Sequence, residues 1–282
     1  MKKLVLVLSL AGALFMSGSA LATDGPNHGK VSLEAGFDVT SAYYFRGIFQ
    51  EDDDFIIQPY AGITFDLYEG EGLINSASLY LSTWNSVHTG PTGSGSGGPG
   101  SWYESDLTVG VSLGLPANLT QDIAYVYIGA PDPAGSIYAE EVTFTTAYDD
   151  SEGWNLQPYI MFAVEVDGAS DGVGDGDDTY FEAGVSQEFT LVESETAPIT
   201  VSVPVTVGLS VDDYYEFPTD ETFGFLDVGI IFSMPLSSVP SDFGEWVLSA
   251  GVNFLFLGDS TEAANGGDDT EVIGTVGLSM SY

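Results

Sequence analysis

The sequence contains no cysteine. This absence excludes disulfide bonds and thiolate chemistry, and with them the small extracellular scaffolds that disulfides hold together. The fold must therefore be held by packing and by backbone hydrogen bonds alone.

Basic residues are almost as scarce as cysteine. The chain has 4 Lys and Arg residues against 42 Asp and Glu residues, which gives a formal net charge of −38. Because nucleic-acid binding needs cationic side chains that neutralise phosphates, we expect no nucleic-acid partner. An acidic excess can indicate disorder, but aromatic and β-branched residues are abundant here, so we expect an ordered protein with acidic loops.

Long hydrophobic runs are also missing. A membrane-spanning helix needs about 20 apolar residues, and the longest apolar run, residues 4–16, is shorter than that. It follows two lysines and precedes the small-residue motif Ala20-Leu21-Ala22, an order that predicts a signal peptide over residues 1–22. An uncleaved anchor or a buried helix is the alternative. We expect residues 23–30 to form a short periplasmic segment and residues 31–282 to form the folded unit.

What the chain does contain is alternation. From about Val31, runs of roughly ten residues alternate apolar and polar side chains, and each run is closed by Gly, Pro, Asp or Asn. No helical period competes with this pattern. We interpret it as twelve strands, an even number as in single-chain bacterial barrels. The runs start near Val31, Ile56, Leu73, Trp102, Gln121, Ile137, Trp154, Thr179, Ile199, Phe223, Glu245 and Thr270.

The connections between these runs alternate in length. The even-numbered ones are compact and the odd-numbered ones are mostly longer, as expected when both termini lie on the periplasmic side of a barrel. The first connection is predicted near residues 51–54 and is short for its side. The pattern predicts an all-β protein, a closed antiparallel transmembrane β-barrel of twelve strands in the bacterial outer membrane. A soluble, acidic, calcium-binding β-sandwich would show similar alternation and is an alternative.

Two runs fit this scheme less well. Pro204 falls in the middle of the ninth run and lacks a backbone N–H, so we expect a bulge or a local irregularity there. The fifth run is apolar on both faces, and its tyrosine face, with Tyr125 and Tyr127, could line the lumen. The last run is clearer, because its apolar face ends on the aromatic Tyr282. This ending predicts recognition by the barrel assembly machinery.

Alternation places nine acidic residues and one cation on the inward face. A lumen with this charge would concentrate cations and repel anions. We therefore predict a porin-like channel in outer-membrane lipid for small hydrophilic solutes, with a preference for cations. The alternative is a structural or adhesive barrel whose lumen is closed and whose acidic outer loops bind divalent cations. The pore-lining candidates are Glu34, Asp38, Arg46, Glu104, Asp106, Glu141, Glu165, Glu182, Glu188 and Asp227.

Arg46 is the only cation among these candidates, and we expect it near the outer end of the first strand. A guanidinium group can bind carboxylates through two parallel hydrogen bonds. Arg46 is therefore predicted to be an internal structural clamp or a constriction residue.

Few residues could support catalysis. His28 lies next to the leader and His88 in a Gly-rich outer loop, and both are expected to be solvated, so we predict no catalytic site and no enzymatic activity. Residues 167–178 combine glycines with closely spaced carboxylates, which could form a weak Ca²⁺ site without the spacing of an EF-hand. Its candidate ligands are Asp171, Asp175, Asp177 and Asp178. No other cofactor is expected.

The first strand and its exit carry a family resemblance. The segment Tyr-Tyr-Phe-Arg-Gly-Ile-Phe-Gln, residues 43–50, resembles the opening motif of the TorF-type porin family of exported bacterial proteins, although Phe49 stands where that family usually has serine. The Asp-x-x-Tyr-x-Tyr pattern beginning at Asp122, followed by Pro131, is similar to the family's central motif. The resemblance covers about half of the mature chain. It implies an outer-membrane barrel without catalytic residues.

Overall fold

A computed structural model describes residues 29–52, 55–89, 102–131, 138–172, 176–194, 197–216 and 218–282. The predicted signal peptide and most of residues 23–30 lie outside these residues, so that division of the chain stays a prediction. Within the described part, no helix is long and apolar enough to cross a membrane.

Twelve antiparallel strands close into one barrel. Each barrel strand pairs with the next one along the chain, and the last pairs with the first, from Glu34 opposite Ser281 to Thr40 opposite Thr275. The predicted fold class is confirmed, and the β-sandwich alternative is wrong. In chain order the barrel strands are β1 (Val31–Thr40), β4 (Ile56–Glu69), β5 (Ser76–His88), β6 (Trp102–Leu115), β7 (Leu119–Gly129), β8 (Tyr138–Tyr148), β9 (Tyr159–Gly168), β10 (Thr179–Val192), β11 (Ile199–Asp212), β12 (Phe223–Pro235), β13 (Glu245–Leu257) and β14 (Thr270–Ser281).

Three shorter elements lie between the barrel strands. Strands β2 (Tyr43–Phe45) and β3 (Ile48–Glu51) pair with each other and form a separate hairpin. Helix α1 (Asp259–Ala264) lies in the β13–β14 connection, and a 3₁₀ turn (Ser241–Phe243) lies between β12 and β13.

Most strands begin where the alternation predicts, but one begins clearly later. The seventh run was expected from Trp154, whereas β9 begins at Tyr159. The carboxylate of Asp150 accepts backbone hydrogen bonds from Leu156 at 3.0 Å and Gln157 at 2.8 Å. These bonds hold the segment before β9 in a compact turn, because a side-chain acceptor offers the backbone an alternative to strand pairing.

The barrel wall has an apolar outer face and a polar inner face. In β7, Tyr125 and Tyr127 are each 38% exposed on the outside, while Asp122 is buried on the inside. The suggestion that the tyrosines line the lumen is therefore wrong. At Pro204 the pairing of β11 with β12 is interrupted between Ser202, opposite Ile231, and Val205, opposite Val228, but the register is kept, so the irregularity is a local break in pairing and not a bulge.

The first connection differs most from expectation. Strand β1 ends at Thr40, and the chain then turns, with the Thr40 hydroxyl donating to the Ala42 carbonyl at 2.9 Å. The hairpin of β2 and β3 follows before β4 begins at Ile56. Residues 43–51, here named the inner hairpin, carry buried side chains that contact the inner faces of the barrel strands. Arg46 accordingly lies in this hairpin and not at the outer end of the first strand.

Candidate functional site

The turn of the inner hairpin is formed by Arg46 and Gly47. Their φ angles are +48° and +81°, the left-handed pair that a two-residue type I′ hairpin turn needs. Gly47 suits this conformation, and a Cβ atom there would lie 3.0 Å from Cβ of Phe225. Arg46 is an uncommon residue at positive φ, so its contacts must hold it there.

Arg46 makes a two-pronged ion pair with Glu141 of β8. Its Nη1 lies 2.7 Å from Oε1, and its Nη2 lies 2.7 Å from Oε2. The guanidinium group also lies 4.4 Å from the ring centre of Tyr180 and 4.8 Å from that of Phe45. Arg46 is only 6% exposed. Parallel charge-assisted hydrogen bonds and aromatic faces are the environment that stabilises a buried guanidinium group.

The β11–β12 connection closes over the same guanidinium group. Arg46 Nη1 donates to the Tyr214 hydroxyl at 3.0 Å, and the Tyr215 hydroxyl donates to the Arg46 carbonyl at 2.8 Å. Arg46 Nη1 also lies 3.4 Å from Oγ of Ser170, in the β9–β10 connection. The hairpin turn is thus held by one barrel strand and by two outer loops.

The other side of the inner hairpin packs on the opposite wall. The Tyr43 hydroxyl donates to Oε2 of Glu104 at 2.8 Å, and its ring centre lies 5.3 Å from that of Trp84. The Tyr103 hydroxyl donates to the side-chain oxygen of Gln50. The hairpin therefore spans the outer half of the lumen and contacts both walls.

The predicted pore-lining acids divide into two groups. One group is buried in the lumen wall: Asp38, Glu104, Asp106, Glu141, Glu165, Glu182 and Asp227. The other group, Glu34 and Glu188, is half-buried and lies nearer the periplasmic end of β1 and β10.

Several of the buried acids have uncharged partners. Glu182 accepts hydrogen bonds from the hydroxyls of Tyr159 at 2.5 Å and Tyr180 at 2.7 Å. Asp227 accepts from the side-chain amide of Asn253 at 3.0 and 2.9 Å. Arg46 is the only Lys or Arg inside the described part of the barrel, since Lys30 precedes β1. Most of the acidic charge therefore has no cationic partner.

Sequence reasoning missed several residues of this region. Tyr214 and Tyr215 lie in a loop, where no periodicity indicates which way a side chain points. Asp122 is buried on the inner face of β7. Paired residues on neighbouring strands point to the same face of a sheet. The clear alternation of β6 therefore indicates which β7 residues point inward.

His88 is also different from expectation. It ends β5 and is fully buried, so its prediction as a solvated loop residue is wrong. Its Nε2 atom lies 2.7 Å from Oγ of Ser86, and its ring stacks on Tyr103 at 4.9 Å. Hydrolases use such a serine–histidine distance. Here Ser86 is fully buried as well. The distance from His88 Nδ1 to the Glu51 carboxylate is 3.9 Å, which is too long for a hydrogen bond.

The acidic loop between β9 and β10 brings three carboxylates together. One oxygen from each of Glu165, Asp171 and Asp178 lies within 4.8 Å of the others. Burial and repulsion from Glu165 raise the pKa of Asp178 to about 7. Of the other predicted ligands, Asp177 is exposed and outside this group, and Asp175 lies outside the described residues.

Comparison with known proteins gives no match to any family model and none to a curated protein. Among solved structures, the KdgM porin aligns over 89% of this chain and 99% of its own, with 6% identity and a TM-score of 0.45. The COG4313 outer membrane channel from Pseudomonas putida F1 aligns over 89% and 94%, with 9% identity and a TM-score of 0.46. The NanC porin aligns over 89% and 98%, with 10% identity and a TM-score of 0.40. These structural similarities are weak, and the barrel topology is established by the strand pairing of this chain itself.

The location of the protein follows from its surface. Apolar side chains such as Leu107, Phe144, Ile160 and Phe232 are exposed on the outer face of the closed wall. A closed barrel satisfies every backbone group internally, which is the condition for strands to cross hydrocarbon. The chain is a barrel of the bacterial outer membrane.

Proposed function

We propose that this protein is a porin-like channel for small hydrophilic solutes, with a preference for cations, and not an enzyme. The observation that carries the proposal is the imbalance of charge inside the barrel. Many inward carboxylates face one another, and the single inward cation, Arg46, is held by Glu141. A low-dielectric wall focuses the field of such carboxylates, so that cations are attracted and anions repelled.

We infer that the inner hairpin, which contacts both walls, closes the lumen in the described conformation. A twelve-strand lumen is narrow enough for a folded segment to fill. Conduction then requires the hairpin to leave its position between the walls, and this movement gates the channel. The ion pair of Arg46 with Glu141 contributes to the free energy that gating must overcome.

Single-channel recording in planar bilayers tests the proposal. In a KCl gradient we expect wild-type protein to show rare openings whose reversal potential has the sign of cation selectivity. Well-folded protein that never opens would contradict the channel, and an anion-selective reversal potential would contradict the charge argument.

The second candidate function is a structural or adhesive barrel with a closed lumen. The position of the inner hairpin between both walls favours this structural role, because such a role does not require the hairpin to move. The two candidates separate in the same recordings. A wild-type barrel that stays silent while a hairpin-deleted variant conducts would support the structural role.

Two further predictions belong with this proposal. We propose that the assembly machinery recognises the last strand, which closes the barrel, with the Tyr282 N–H donating to the Leu33 carbonyl at 2.8 Å. The resemblance to the TorF-type porins is proposed on the motif at residues 43–50. In that motif Arg46 and Gly47 form the turn that the closed state depends on.

A further inference from the structure

We propose that Glu165, Asp171 and Asp178 bind a calcium ion at the outer mouth of the barrel. Ca²⁺ binds oxygen ligands at about 2.3–2.6 Å, so two oxygens on one ion are separated by at most about twice that length. The three carboxylate oxygens, all within 4.8 Å of one another, meet this condition. The ligand set differs from the one expected from the loop sequence, since it takes Glu165 from strand β9.

Two buried oxygen atoms of these carboxylates give a second indication of a bound cation. Oε2 of Glu165 and Oδ2 of Asp178 are buried and have no hydrogen-bond partner among the described residues. Their residues are only 3% and 4% exposed. A buried carboxylate without a partner is costly, so a group that neutralises it is expected.

The other oxygen of Glu165 fixes the orientation of this carboxylate. Oε1 accepts hydrogen bonds from the backbone N–H of Ser170 at 2.7 Å and from its hydroxyl at 2.5 Å. Oε2 is thereby left without a partner among the described residues. The carboxylate is held in place before any ion arrives, which reduces the cost of ordering a ligand on binding.

Among the described residues, no lysine or arginine forms an ion pair with these three carboxylates. Arg46 is engaged with Glu141, and Lys30 lies at the periplasmic end of β1. A hard divalent cation matches an all-oxygen site of this kind. Ca²⁺ suits it better than Mg²⁺, because Ca²⁺ tolerates irregular geometry and the half-buried Asp171 leaves room for water ligands.

The proposed site is connected to the inner hairpin through one residue. The Ser170 hydroxyl, which bonds Glu165, lies 3.0 Å from the Tyr214 hydroxyl and 3.4 Å from Nη1 of Arg46. A bound ion would hold Glu165 and Ser170 in place, and through them the loop that covers Arg46.

Calorimetric titration of Ca²⁺ into EDTA-treated, refolded protein in detergent tests the proposal, together with thermal unfolding of the same samples. We expect wild-type protein to bind Ca²⁺ and to unfold at a higher temperature with it. Asp178→Asn should weaken binding at least tenfold and lose the thermal shift. In EDTA the same variant should be more stable than wild type, because one of two repelling carboxylates is gone.

The matched control is Asp177→Asn, which removes the same charge from an exposed neighbour outside the group. It should bind Ca²⁺ as wild type does. An equal loss of Ca²⁺ affinity in both variants would show that only the total charge of the loop matters, and this would contradict the site. The absence of Ca²⁺ binding to wild-type protein would also contradict it. Should Asp178→Asn fail to fold, Asp171→Asn at the half-buried ligand gives the same test, and unchanged binding there would also contradict the site.

Discussion

The outer and periplasmic halves of the lumen are built by the same twelve strands but differ in what fills them. In the outer half, Glu104, Glu141 and Glu182 are almost completely buried, and the first two are hydrogen-bonded to the inner hairpin. In the periplasmic half, inward residues such as Glu34 and Glu188 are only half-buried. The two halves therefore share one wall and differ by the inner hairpin, which lies only in the outer half.

This comparison shows how the same residue type takes two roles. Some carboxylates in the outer half have a fixed partner and contribute to packing, as Glu141 does with Arg46. A carboxylate in the periplasmic half keeps contact with solvent and acts mainly through its field. Perturbing the outer half should change opening and stability, whereas perturbing the periplasmic half should change selectivity.

Removing the inner hairpin should have the largest effect. Replacing residues 43–51 by a Gly/Ser linker of equal length removes the contacts to both walls, so we expect a continuously open channel in planar bilayers. The control replaces residues 71–73 of the periplasmic β4–β5 turn in the same way and should leave the recordings unchanged. A hairpin-replaced barrel that opens as rarely as wild type would show that the closure lies elsewhere.

Arg46→Met should weaken closure by a large amount. It leaves the buried Glu141 carboxylate without its cation, and breaking a buried ion pair costs about 3–5 kcal/mol. The ratio of open to closed time should rise by roughly a hundredfold or more. The double variant Arg46→Met with Glu141→Met replaces the pair by apolar side chains and should restore much of the closure. If the double variant opens as readily as the single one, the ion pair is not what holds the hairpin.

Two glutamates on the inner face of β10 allow a direct comparison of the halves. Glu182→Ala leaves the buried hydroxyls of Tyr159 and Tyr180 without their acceptor and should lower the free energy of unfolding by about 1–3 kcal/mol. Glu188→Ala should stay within about 0.5 kcal/mol of wild type and reduce only the cation preference. Urea unfolding in detergent and reversal potentials measure the two quantities. Equal destabilisation by both substitutions would remove the distinction between the halves.

Gly47→Ala should have the smallest effect on closure among these variants. A side chain at φ +81° costs about 1–2 kcal/mol, and its Cβ would press on Phe225, so openings should become roughly tenfold more frequent. Gly72→Ala in the periplasmic turn also sits at positive φ, but nothing lies within 4 Å of its Cβ position. It should leave the opening frequency unchanged, and a similar increase in both variants would contradict a specific role for the hairpin turn.

The barrel could be predicted from the sequence because alternation is a local property. A strand with one face in lipid and one in the lumen must alternate, so strand number, most boundaries and the facing of the clearly alternating strands follow from the residues themselves. β11 begins at Ile199 as expected, and Pro204 interrupts only a hydrogen bond, not the register.

The inner hairpin could not be predicted in the same way. Its residues continue the apolar and aromatic character of β1, and nothing local distinguishes a strand in the wall from one inside the lumen. Its position depends on contacts such as Arg46 with Glu141, which are far apart in the chain. The burial of His88 and the pairing of Glu165 with Asp178 depend on the folded loops in the same way.

Labelling of single introduced cysteines tests most directly whether the inner hairpin occupies the lumen. The chain has no cysteine of its own, so each variant carries one thiol. Ala42 is 6% exposed and its neighbour Ser41 is exposed. A docked hairpin predicts that a bulky water-soluble maleimide reacts quickly with Ser41→Cys and much more slowly with Ala42→Cys, and that Arg46→Met removes the difference. Equal, rapid labelling of both positions in the otherwise wild-type barrel would contradict the closed lumen.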